Sequence, residues 1–171
     1  MASMAIRVLR SDSSEDLASL QRVLEAAPSY WMRVSAQLPK SSTAKKVFDA
    51  LPEGKAYEDK FVLGIFDSQS KMIGCVDLIR GYPDPKTAML GLLFIAEPAQ
   101  GKGYGKQAYN AIEQLVLSWN GFQKIRIGVV ATNGIALPFW KSLGFVESGT
   151  RRPHEDNGVV SETIVLEKAI R

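Results

Sequence analysis

Residues 100–106, Gln-Gly-Lys-Gly-Tyr-Gly-Lys, set three glycines at alternate positions directly before a long helical pattern. A turn of this kind between a strand and a helix leaves main-chain N–H groups unpaired at the positive end of the helix dipole, where they bind phosphate oxygens. Glycine keeps side chains out of the ligand's way, and Lys102 and Lys106 add positive charge. Spacing excludes two familiar phosphate loops. The G-x-x-x-x-G-K-[ST] loop fails because Gln100 stands five residues before Gly105 and Gln107 follows Lys106, and G-x-G-x-x-G started at Gly101 fails at Lys106. Other residues able to do chemistry are scattered. Asp77 interrupts the apolar run Ile73 to Ile79, Glu97 lies just upstream of the glycines, Cys75 is the only cysteine and His154 the only histidine.

Length and composition bound what these residues can belong to. The 171 residues suit a single domain, 1–171, with a core of its own, and 46% hydrophobic with 23% charged residues is ordinary for a globular protein. A net charge of +3 is interleaved along the chain, which argues against a concentrated nucleic-acid face and leaves room for a local anion pocket. A lone cysteine forms no internal disulfide, and no Cys/His cluster suggests a metal. The start, MASMAIRVLR, lacks the apolar stretch of a signal peptide, and no run approaches the ~20 apolar residues of a membrane span. The expectation is a cytoplasmic protein with neither membrane nor nucleic acid as partner.

The pattern along the chain predicts the elements that must position the glycine turn. Residues 4–10 read as a strand, and SDSSEDLASLQRVLEAAP as a capped amphipathic helix with Leu17, Leu20, Val23 and Leu24 inward. YWMRVSAQL and KSSTAKKVFDALPEG add helical segments. Strands are predicted over 60–67, 71–83 and 86–96 as an antiparallel meander, the last central because it is apolar on both faces. Residues 103–120 carry the longest helical stripe, 124–130 a strand, and Asn133 can cap a short helix to Leu143 that Pro138 should kink or start raggedly. FVESGTRR and VVSETIVLEK, flanking HEDNG, form a closing hairpin.

With these elements in place, residues 100–106 resemble the Q/R-x-x-G-x-G/A signature of the GNAT superfamily of N-acetyltransferases. Asn133, Ala136, Phe139, Trp140, Gly144 and Phe145 are similar to the same family's N-x-x-A-x-x-[FL]-[YW]-x-x-x-G-F segment, in the right order downstream. The resemblance implies an α/β fold with a mixed, mostly antiparallel sheet of about seven strands flanked by about four helices. It implies acetyl-CoA as the cofactor, with Gln100, Gly101, Lys102, Gly103, Tyr104, Gly105 and Lys106 at its pyrophosphate. Main-chain N–H groups of Leu93, Phe94 and Ile95 would polarise the thioester, and Asn133, Phe139 and Trp140 would line the pantetheine arm.

Two departures from the family pattern bear on mechanism. Many relatives place a tyrosine where this chain has Trp140, whose indole N–H is a donor but not a useful acid. Some use a carboxylate five residues before the asparagine; here that residue is Gly128. An amine of pKa ~10.4 must lose a proton to react near neutrality. Asp77 and Glu97 are the candidate bases, with pairing to Arg80 and a solvated turn as their respective structural alternatives. Tyr30, Trp31 and Tyr82, with Arg33, are candidates to line an acceptor pocket. Cys75 reads as a buried small hydrophobe and His154 as a surface loop residue. The expected activity is transfer of an acetyl group to a primary amine of a small molecule or of a peptide or protein, in a ternary complex and with a homodimer possible. The alternatives are an acyl-CoA-binding domain without turnover and, from another class, a nucleotide-binding module.

Overall fold

The computed structural model describes residues 3–171. Seven strands form one sheet: β1 (Met4–Val8), β2 (Lys60–Asp67), β3 (Met72–Arg80), β4 (Thr87–Ile95), β5 (Lys124–Val130), β6 (Val146–Asp156) and β7 (Val159–Ala169), in spatial order β1-β2-β3-β4-β5-β7-β6. Every neighbouring pair is antiparallel except β4–β5. Five helices flank the sheet: α1 (Ser14–Glu25), α2 (Pro28–Ser35), α3 (Thr43–Asp49), α4 (Tyr104–Ser118) and α5 (Leu137–Ser142). No helix among the described residues is long and apolar enough to cross a membrane.

The apolar content of β4 has its reason in the layers. On one face Leu90, Leu93 and Ile95 meet the α4 stripe of Ala108, Tyr109, Ile112 and Val116, and on the other Leu92 and Phe94 meet Leu20, Leu24 and Phe48 of α1 and α3. A strand covered on both faces must be apolar on both, and β4 accordingly stands fourth of seven.

Local chemistry moves several boundaries from where sequence pattern puts them. β1 ends at Val8 because Arg10 N–H donates to the Asp16 carboxylate, turning the chain into the α1 cap. Gly81, at φ +75°, stops β3. The helix expected from Asn133 begins only at Leu137, after a 3-10 turn over Ala131–Ala136, so Pro138 lies in the first turn of α5, where its missing N–H costs no bond. The closing hairpin is tighter than the polar HEDNG suggests. Its strands continue to Asp156 and resume at Val159, leaving Asn157 (φ 48°) and Gly158 (φ 82°) as a two-residue turn.

Asp16 ties the N-terminal strand to the first helix. Its carboxylate accepts from Arg7 Nη1 and Nη2 at 3.1 and 3.0 Å and from Arg10 N–H at 2.9 Å, while its own N–H donates to the Ser13 cap. The Arg7 hydrogen bonds hold the Asp16 carboxyl below the ordinary carboxylate range, against the opposing effect of burial. The stabilisation is therefore complete above that range and disappears as pH falls through the lowered pKa. Arg7 is half exposed, so solvent screening weakens the pair. Asp16→Ala should cost about 1–2 kcal/mol in urea unfolding at neutral pH, with the difference from the parent shrinking in acid; an unchanged midpoint would contradict the assignment.

Candidate active site

The site begins where two neighbouring strands part. β4 and β5 pair in parallel from Thr87↔Lys124 to Leu90↔Ile127 and no further. Beyond that point β4 stays bonded to β3 as far as Ile95↔Gly74, and β5 to β7 as far as Val130↔Thr163, so each remains a strand on its outer side only. The cause lies at Gly91. Asp77 faces Leu92 and Leu78 faces Leu90, which leaves Gly91 as the extra residue of a bulge that bends β4 away. The gap opens into a cleft of about 500 Å³, continuous through Tyr30, Leu93, Asn133, Ala136 and Trp140 with a smaller cavity of about 120 Å³ against Gly91 and Gly128.

The glycine turn closes one end of the cleft. Gly101 (φ 76°) and Gly103 (φ 85°) adopt left-handed backbone, and a Cβ at either would meet nothing within 4 Å, so conformation rather than crowding requires glycine there. Gly103 precedes α4, and no side chain caps that helix. Its first-turn N–H groups and positive dipole end stand beside the cleft, with Lys106 adding charge. Gly105 has a different role. A Cβ on it would lie 3.3 Å from the Phe139 ring, so its glycine lets α4 approach α5. Gln100 Nε2 donates to Ile95 O at 2.8 Å and fixes the turn leaving β4.

Twelve of the thirteen residues expected at a cofactor line this cleft: Leu93, Phe94, Ile95, Gln100, Gly101, Gly103, Tyr104, Gly105, Lys106, Asn133, Phe139 and Trp140. Lys102 does not; it borders a separate depression with Arg22 and Lys71. Asn133 caps no helix. Its Oδ1 accepts from Arg33 Nε at 2.8 Å, tying α2 to the segment after β5. Trp140 is 8% exposed, with edge contacts to Tyr109, Phe139 and Phe145, and forms a wall of the cleft as part of the core. Gly128 has a steric reason: a side chain there would come within 2.8 Å of Thr163 Cγ2.

The candidate bases and acceptor contacts scatter. Asp77 pairs with Lys60, not with Arg80: Lys60 Nζ donates to Oδ1 at 2.8 Å, the two side chains being 4% and 17% exposed for Lys60 and Asp77 in turn. Burial pushes the Asp77 carboxyl above its ordinary value, and Lys60 pulls the other way. Its second oxygen lies 3.5 Å from where a Cβ on Gly91 would stand, although Asp77 itself lines neither cavity. Glu97 is held at the N-terminus of α2, accepting from Ser29 N–H at 2.9 Å. Tyr30 lines the cleft, whereas Trp31 donates its indole N–H to Leu24 O at 2.7 Å and packs into the core. Tyr82 lies in the β3–β4 turn, at the end of β4 remote from the glycine loop, and lines neither cavity. Cys75 is fully buried, its thiol pushed up by burial. His154 is no free loop residue: its Nε2–H donates to Val34 O at 2.8 Å, fastening the closing hairpin to α2. Among the described residues no group of three His, Cys, Asp or Glu side chains could hold a metal ion.

The chain is similar to proteins of known class. Residues 21–145 match the Acetyltransferase (GNAT) family. An uncharacterized N-acetyltransferase of Bacillus subtilis (strain 168), YycN, is 30% identical over 121 residues, covering 69% of this chain and 74% of the relative. An acetyltransferase from Thermus thermophilus superposes with a TM-score of 0.72 at 24% identity, covering 99% of this chain and 100% of that one. Spermidine N-acetyltransferase from Vibrio cholerae, solved with CoA and spermine, gives 0.73 at 19% identity, covering 97% of this chain and 95% of that one. At these identities the two structures establish a shared fold and nothing finer.

The buried Lys60–Asp77 pair makes a direct prediction. Asp77→Asn leaves the Lys60 charge buried without its counter-ion and should cost about 3 kcal/mol in urea unfolding, whereas Asp77→Leu with Lys60→Met should lose much less. Equal losses in the single and double variants would show that the two side chains are not coupled.

Proposed function

The chain belongs to the acetyltransferase (GNAT) family, and on that premise we propose that it transfers an acetyl group from acetyl-CoA to a primary amine. The observation carrying this reading is the uncapped, glycine-flanked start of α4 opening onto the gap between β4 and β5. The loop fits an anionic cofactor arm on its own chemistry: first-turn N–H groups without a side-chain cap, left-handed backbone at Gly101 and Gly103, and the Lys106 ammonium. Gly101, Gly103 and Lys106 hold the pyrophosphate, with Gln100 positioning the turn. Asn133 and Phe139 border the pantetheine arm. Bound acetyl-CoA supplies a thioester carbonyl open to attack by an unprotonated amine in a ternary complex.

The chain's own groups do the rest. β4 beyond Gly91 has no β5 partner, and its N–H groups alternate between the two sides: Ala96 N–H donates to Ile73 O, so the Phe94 N–H likewise faces β3, and those of Leu93 and Ile95 are the donors assigned to developing negative charge on the carbonyl oxygen. Trp140 and Phe139 form an apolar wall that keeps water from the reacting carbon. Among the described residues no carboxylate lines either cavity, so the amine's proton leaves through water, and Asp77, whose second oxygen lies next to Gly91, is the nearer to the gap of the two candidate acceptors. Glu97 is committed to α2. One observation favours the second reading, an acyl-CoA-binding domain without turnover: the indole of Trp140 stands where many relatives carry a tyrosine acid. Thiol release from acetyl-CoA across a broad panel of primary amines separates the two. Turnover with any of them supports transfer, and binding of CoA with no turnover on any supports the second reading.

Gly103→Glu should weaken CoA binding in calorimetry by about a hundredfold or more, because it sets a negative charge at the mouth of the anion loop. Gly103→Asn, which tolerates left-handed backbone, should bind far better than the glutamate variant. Equal, parent-like affinity in both would remove the loop from the cofactor site.

A further inference from the structure

Among the described residues the charged side chains lining the cleft are cations. Arg33 lines the cleft from α2, beside Tyr30 and Asn133. Its Nε is spent on Asn133, and among the described residues its two terminal amino groups make no hydrogen bond and no ion pair with any carboxylate. Among the described residues the only other charged residue lining the cleft is Lys106, at the glycine loop, and the adjoining cavity is lined by no charged residue. Asp77, beneath Gly91, is already neutralised by the buried Lys60 ammonium. The acids near the hairpin tip, Glu155 and Asp156, line neither cavity, and Arg151 and Arg152 lie on the same strand. A polyamine brought into this site would find no carboxylate to receive its second ammonium and would meet the Arg33 charge instead.

We propose that the acceptor is a small amine bearing a carboxylate, a free amino acid, and that Arg33 is the specificity-determining residue that receives the carboxylate. A guanidinium fixed through Nε offers its remaining donors in the planar geometry that a carboxylate accepts in pairs. The hydrogen bond to Asn133 holds the side chain in place before the acceptor arrives, lowering the ordering cost of binding. This assignment rests on the acetyltransferase reading and sharpens it to a substrate class.

The test compares initial rates of thiol release for free amino acids, their amides, spermidine and short peptides that begin with aspartate, using the parent protein, Arg33→Gln and Arg33→Lys. Calorimetric binding of the same acceptors to the CoA-loaded protein provides a second readout. The parent should prefer acid over amide by roughly tenfold or more in kcat/KM, mainly through KM. Arg33→Gln should lose that preference and Arg33→Lys retain part of it. Any intrinsic difference in reactivity between acid and amide is common to all three proteins, so a change in the ratio isolates residue 33. Preference for amide or spermidine in the parent, or an acid-to-amide ratio untouched by Arg33→Gln, overturns the proposal while leaving acetyl transfer intact. Acidic peptides surpassing free amino acids by about tenfold would overturn the small-molecule assignment. Absence of turnover with every amine, with CoA still bound, would overturn the acetyltransferase reading and this inference with it.

Discussion

Everything distinctive in this structure depends on two parallel strands that stop pairing halfway. From Leu90 and Ile127 onward β4 and β5 keep their outer partners and lose each other, which places unpaired backbone in the middle of a sheet whose core is otherwise closed. Such backbone is costly to leave without partners. A cleft that admits a ligand with complementary groups supplies them. Gly91 provides the bend, Gly128 the side-chain-free wall opposite, and Trp140 the apolar flank. The glycine turn then follows from β4 without a crossover, so the start of α4 and the mouth of the gap lie together as a consequence of connectivity.

Charge is distributed to suit that geometry. Among the described residues the charged side chains lining the cleft are two cations, Lys106 at the loop and Arg33 on α2, while the nearby carboxylates are engaged elsewhere: Asp77 with Lys60, and Glu97 with the start of α2. α2 is itself held from two sides, by Arg33 to Asn133 and by the His154 bond to Val34, so the helix that lines the cleft is fastened both to the segment after β5 and to the C-terminal hairpin.

The sequence displays the fold to the extent that its signals are local. The meander, the stripe of α4 and the glycine turn are each written within a few adjacent residues, and strand β4 declares its central place by being apolar on both faces. Strand β6 is harder to delimit because it is an exposed edge, where polar residues such as Glu155 and Asp156 are as suitable as in a loop. The site's side-chain logic is mostly hidden. Arg33 meets Asn133 across 100 residues and His154 meets Val34 across 120, and no spacing rule reports such a contact. The partner of Asp77 escapes sequence reading for a related reason. Arg80 is close along the chain, whereas Lys60 sits on the adjacent strand, where Val62 faces Asp77 across the ladder. Gly105 reads as part of an anion cradle, yet its closest neighbour is the Phe139 ring.

The most direct measurement is amide hydrogen exchange of the whole protein with and without acetyl-CoA. If the parting of β4 and β5 is the cofactor site, protection should rise at residues 91–95 and 101–106 and remain unchanged in the β3–β4 turn around Tyr82. Protection that leaves both segments untouched while CoA is bound would place the cofactor elsewhere and contradict the account.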